Sequence, residues 1–244
     1  MMSTQAKRTR HRLALTSALA AMSACVPAAR ADDVPPDPLL LAQPGFLDAH
    51  PDLRWRGEGV RSLERGRLRE AQVYFRRAAR YADKPSQAML GELHWSGSGG
   101  LVDRASGYAW MDLAAERGYP AFLALRERYW AALAEDERVR AVALGGELYA
   151  QYADDVAKPR LARVLERARR NVTGSRLGIA GTLKMQVYGP GGWTTMDGSI
   201  YYQSRLSKAD EYWQWQDQEW RRPPRGHVTI GPIGPAESAP TPRE

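Results

Sequence analysis

Cysteine is almost missing from this chain. Of 244 residues only Cys25 carries a thiol, so no intrachain disulfide can staple the fold and no cysteine cluster can hold a metal. Histidine is scarce as well, with 4 copies. His50, His94 and His227 stand far apart, and neither H-x₃-H nor H-E-x-x-H occurs, which removes the common zinc-hydrolase spacings. There is no G-x-S-x-G nucleophile elbow and no G-x-x-x-x-G-K-[ST] phosphate loop. No apolar run approaches the ~20 residues that a membrane-spanning helix needs. With nucleophile, catalytic base pair, cofactor loop and metal set all lacking, the sequence reads as non-enzymatic.

Acidic residues are absent from one stretch, the first 31 positions, which hold Lys7, Arg8, Arg10, Arg12 and Arg30. A basic start, the short apolar run LALTSALAAMSA and the ending Ala29-Arg30-Ala31 follow the order of a secretory signal peptide cut before Asp32. The formal charge of +7 is mostly this leader: the remainder has 30 basic against 28 acidic residues, a net of +2. A nearly neutral mature chain gives no electrostatic case for nucleic acid. The export reading predicts a periplasmic or secreted protein. In MSAC, Cys25 also resembles a poor lipobox, and cleavage there would instead give a lipid-anchored protein.

Residues 32–50 contain four prolines and no helical period, and so predict a linker. From Pro51 to about Asn171 the composition is helical, rich in Ala, Leu, Arg and Glu. Ala78-Ala79 and Ala114-Ala115 lie 36 residues apart, each preceded at four positions by an aromatic, Tyr74 and Trp110. A period of ~20–50 residues is the mark of stacked helix pairs, each covering its neighbour's apolar face.

The segment from Trp55 resembles a tetratricopeptide repeat, with Trp55, Gly59, Ala71 and Phe75 in register and Ala78 continuing the packing face. Glu58 and Ser62 depart from its leucine and tyrosine. The next segment resembles the related Sel1-like repeat through Ala88, Leu90, Gly91, Gly97, Gly99, Asp103, Trp110, Ala114, Ala115, Gly118 and Ala121. Gly100 and Gly107 depart from it, each replacing a side chain, which predicts a looser start to the second helix. Leu125, Tyr129 and Leu133 open a candidate third pair. The resemblance implies α/α helical hairpins and a protein or peptide partner, with no cofactor.

The glycines of LGELHWSGSGGLVD are read as a helix-ending turn, with Asp103 as the N-cap of the next helix. His94 reads as a packing or surface residue, and clusters such as Glu135/Asp136/Glu137 and Asp154/Asp155 as helix starts. Residues 158–170 form an amphipathic helix whose Arg160, Arg163, Arg167 and Arg170 share one ridge at about 100° per residue. That ridge suits either a solvated capping helix or an acidic partner.

Beyond residue 171 the pattern turns to period two. Leu183, Met185 and Val187 mark a strand, GPGG a turn, Asp197-Gly198 a hairpin signal, and Ser207 with Asp210 a capping box opening a short helix. HVTI predicts an edge strand, and residues 235–244 a disordered tail. Residues 172–234 thus form a small α+β extension expected to cap the helical part. Its Trp213, Trp215 and Trp220 have two readings, packing bulk or a sugar-stacking surface for cell-wall glycan.

Overall fold

Prolines and glycines place the helix ends. The computed structural model describes residues 36–170 and 184–222; the leader with Cys25, residues 171–183, HVTI and the tail lie outside them. Two short helices, α1 (Pro38–Leu41) and α2 (Pro44–Ala49), occupy most of the expected linker. Two of the four prolines that suggested a linker, Pro38 and Pro44, stand at the first helical position, where a missing N–H costs nothing. Leu40 and Phe46 are buried.

Two helix pairs follow. In the first, α3 (Pro51–Glu64) packs on α4 (Leu68–Ala79); in the second, α5 (Lys84–Ser96) packs on α6 (Arg104–Ala114). Helix α4 also lies against α5, which joins the pairs. The second turn has the form expected of it. Gly97 at φ 71° ends α5, Gly99 follows at φ 93°, and the Asp103 carboxylate accepts from the Ser106 N–H at 3.1 Å to open α6. A 3₁₀ turn, Ala115–Arg117, leads to α7 (Pro120–Ala132), α8 (Glu135–Tyr152) and α9 (Asp154–Arg170). Both α7 and α8 pack on α6.

The core is built of alanines and rings. Ala71, Phe75, Ala79, Leu90, Leu93, Trp110 and Leu113 form one cluster with Tyr152 and Ala153. Ala88, Met111, Ala114 and Ala115 form another with Tyr119, Phe122 and Tyr129. Gly59 makes room for Phe75: a β-carbon there would stand 2.5 Å from the ring. Gly107 corrects the looser helix expected at this point. A β-carbon on it would lie 2.9 Å from the Trp95 backbone nitrogen, so the missing side chain draws α6 onto α5.

After residue 183, β1 (Lys184–Gly189) pairs antiparallel with β2 (Gly192–Asp197), with Gly189 opposite Gly192 across the Pro190-Gly191 turn. Asp197-Gly198 is therefore no hairpin turn. Asp197 accepts from the Ser199 N–H at 2.8 Å and caps α10 (Gly198–Tyr201), the N-cap alternative open to an aspartate at this position. Helix α11 (Ser204–Ser207) ends at the serine expected to cap the last helix; α12 (Ala209–Arg221) begins after Lys208 with no side-chain cap. Val187 and Met196 on the hairpin's covered face meet Leu40, Phe46 and Leu206, so the two ends of the described chain share one apolar cluster.

Candidate functional site

The repeat-defining residues are spent on packing. Ala71, Phe75, Ala78, Ala114 and Trp110 are buried, as are Ala88, Gly91 and Ala115. Trp55 is half-buried, stacked on Tyr74 at 5.8 Å with Arg77 over its ring at 4.9 Å. His94 sits in the last turn of α5, where its carbonyl accepts from the N–H groups of Gly97 and Asp103. Burial and the charge of Arg76 lower its pKa, against the opposing carboxylate of Asp103. Gly118, at φ 69°, turns the chain into α7.

The chemistry gathers where α12 lies on α9 and meets the N-terminal parts of α3 and α7. On α12, Tyr212, Trp213, Gln216, Asp217 and Trp220 fall at helical steps on one side, while Gln214, Gln218 and Arg221 face solvent. Tyr212 is fully buried and its hydroxyl donates to Asp52 Oδ2 on α3; Gln216 Nε2 donates to that hydroxyl at 3.0 Å. The Tyr119 hydroxyl donates to Asp217 Oδ1 at 2.6 Å. Trp220 packs on Phe122 of α7, ring centres 5.7 Å apart, with the Arg56 guanidinium 5.9 Å from its ring. Trp213 lies between Arg117 at 4.8 Å and Lys158 at 5.4 Å.

A charge network underlies this seat. Lys84 has no exposed side-chain surface; its Nζ donates to Glu116 at 2.5 Å, to Gln87 Oε1 and the Leu113 carbonyl at 3.1 Å, and pairs with Asp154 at 3.2 Å. Arg117 Nε and Nη2 grip both Asp154 oxygens, at 2.6 and 2.9 Å. Burial pushes the Asp154 carboxyl up, but the bonds and charge of Arg117, with Lys84 and Lys158, outweigh it and hold the group well below the carboxylate range. Asp52 goes the other way. Its burial raises its pKa, helped by Asp83 and opposed by His50, Tyr212 and Arg56.

The seat is not fully satisfied. Asp52 Oδ1, Arg56 Nε and the Trp215 indole N–H are buried without hydrogen-bond partners. Arg56 Nη2 stands 2.9 Å from Asp83 Oδ1 but is not aligned for a hydrogen bond. Each such orphan costs on the order of 1–3 kcal/mol, more where the group is charged.

Trp213 and Trp215 both pack on Leu161, Leu165 and Tyr212, Trp215 also reaching the cluster of Leu206, while Trp220 lies in the cluster of Phe122. All three are half-buried. On the arginine ridge of α9, Arg160 donates to the Gln151 carbonyl at 2.7 Å and so caps α8, while Arg163 and Arg167 remain exposed.

Sequence reasoning missed Asp52, Lys84, Arg117, Tyr119 and Asp217. One signal was present. A lysine at the first position of a helix opposes the macrodipole, and Lys84 stands there because Glu116 and Asp154 hold it.

Comparison with known proteins adds one neighbour. No family model and no curated protein matches the chain. A solved structure, described as a protective antigen present in uropathogenic Escherichia coli strains displaying a Sel1-like repeat fold, aligns at 20% identity over 52% of this chain and 26% of that one, with a TM-score of 0.39. The decision rests on the chain itself, where the motif glycines end the helices, Asp103 caps, and the paired alanines fill the core. The chain is built of α/α helical hairpins. Among the described residues, no helix of this repeat protein is long and apolar enough to cross a membrane.

Proposed function

We propose that this Sel1-like protein is an exported, non-catalytic scaffold that binds protein or peptide partners on the surface of α3, α7 and α9 that α12 occupies. One observation carries the reading: that surface already holds a helix, α12, through hydrogen bonds to Asp52 and from Tyr119 and through the ring of Phe122, beside the leucines of α9. Helix-in-groove recognition uses side chains at this spacing. The packing of Trp213, Trp215 and Trp220 against buried clusters supports bulk over a sugar-stacking surface.

A photo-crosslinking residue at Trp220, on the helix that fills the seat, and at exposed Val142 of α8 tests this in cells. Protein adducts at Trp220 and none at Val142 are expected; the reverse pattern rejects the face. Retention of the purified protein on peptidoglycan, lost in a folded Trp213/Trp215/Trp220 triple alanine variant, would replace it with the glycan reading. Mass spectrometry of the mature N-terminus tests export: Asp32 for a soluble product, a modified Cys25 for a lipid-anchored one.

A further inference from the structure

We infer that α12 is an exchangeable occupant of its seat, standing where a partner's helix of the same pattern would bind: aromatics at positions i and i+8, an amide at i+4 and an acid at i+5. The inference rests on the scaffold reading and names its ligand class.

Three observations carry it. The first is composition. Helix α12 reads ADEYWQWQDQEWR and contains no Leu, Ile, Val, Met or Phe. Its contacts with the rest of the chain are made by Tyr and Trp, the residues enriched in protein–protein hot spots, with Tyr212 packed on Leu161 and Leu165 of α9.

The second is complementarity. The seat offers an acceptor to the aromatic hydroxyl at i (Asp52), a donor to the acid at i+5 (Tyr119), a guanidinium close to that acid (Arg117, 3.9 Å) and an apolar ring for the aromatic at i+8 (Phe122). Four contacts at fixed spacing define a helical ligand, not a generic apolar patch.

The third is incompleteness. Asp52 Oδ1 and Arg56 Nε are buried under α12 without partners. A helix offering a donor and an acceptor at those two points would satisfy what α12 leaves unmade, and would therefore compete with it.

The experiment uses the whole chain and a fluorescent peptide of residues 208–222, read by anisotropy. The Asp217→Arg chain sets two guanidinium groups against each other and loosens α12 without touching the seat. The labelled peptide is expected to bind this variant at least tenfold more tightly than it binds the wild-type chain, and the peptide carrying Asp217→Arg is expected to bind neither. Equal affinity for the two chains overturns the proposal. Hydrogen exchange on the wild-type protein decides independently should the variant fail to fold. Amides of α12 exchanging well before those of α5 and α6 support exchange, whereas α12 opening only together with them overturns it. Failure of exchange sinks this inference even where crosslinking at Trp220 still yields protein adducts, so the two readings fail separately.

Discussion

The same substitution, glycine to alanine, should have opposite signs at two helical positions of this protein. In a helix interior alanine is favoured over glycine by about 0.5–1 kcal/mol. At Gly146 in α8 no atom lies within 4 Å of where the β-carbon would sit, so the whole propensity gain is available. At Gly107 in α6 the β-carbon would stand 2.9 Å from the Trp95 nitrogen and 3.0 Å from its Cα. These are backbone atoms of α5, and the Trp95 ring is itself pinned against Tyr129 at 3.8 Å, so no flexible group can step aside. Overpacking of this kind costs about 1–3 kcal/mol, which leaves a net loss of roughly 0–2.5 kcal/mol after the propensity gain. For a chain of this size ~1 kcal/mol moves Tm by roughly 2–4 °C. Gly146→Ala should raise Tm by about 1–4 °C and Gly107→Ala lower it by up to about 10 °C, both read by circular dichroism at 222 nm. A Gly107→Ala protein melting as high as Gly146→Ala would refute the close approach of α5 and α6, and with it the account of why a glycine stands at this position.

Three further outcomes follow from the buried network. Lys84→Ala leaves Glu116 half-covered with no cation against it and should cost about 3–5 kcal/mol in denaturant unfolding, far more than Lys208→Ala at the solvent-exposed pair with Glu211. Tyr212→Phe strips Asp52 of its one hydroxyl donor while keeping the ring, and should lower stability by about 1–3 kcal/mol at neutral pH. The pH dependence has a definite sign. Asp154 is depressed below its ordinary 3.8, so its contribution is complete above that value and drains away as pH falls through the folded-state value. Tm should therefore drop on acidification below about pH 5, and Asp154→Asn should be less stable than wild type at pH 7 yet converge on it in acid; parallel curves at all pH values would contradict the assignment. Asp52, raised by burial, acts oppositely, and Asp52→Asn should steepen that acid loss.

Much of the helical half was legible because its signals are local. Glycine at a helix end, aspartate at a helix start and paired alanines each act within a few residues, and Gly97, Asp103 and Ala114-Ala115 land where the pattern puts them. The errors came from residues with two local meanings. Pro38 and Pro44 open helices instead of marking a linker, and Asp197 caps a helix instead of turning a hairpin. The seat was illegible for a different reason. Asp52 and Tyr212 are 160 positions apart, Tyr119 and Asp217 98, and no periodicity links residues whose meeting depends on the crossing of α12 over three other helices.

The extension therefore combines two kinds of attachment. A short run of helix pairs leaves apolar faces that further repeats would cover. The hairpin and α11 pack on α1 and α2 through Val187, Met196 and Leu206, and the buried His50 ring joins α2 to α11, with Nδ1 at 2.8 Å from the Phe46 carbonyl and Nε2 at 2.7 Å from that of Leu206. Helix α12 begins two residues after α11 ends, so it is tethered to a segment that stays docked. A tethered helix faces its seat at an effective concentration in the millimolar range for a short linker. On the exchange proposed above, a free helix would have to outcompete that local concentration, and the orphaned Asp52 and Arg56 atoms are where it would gain over α12.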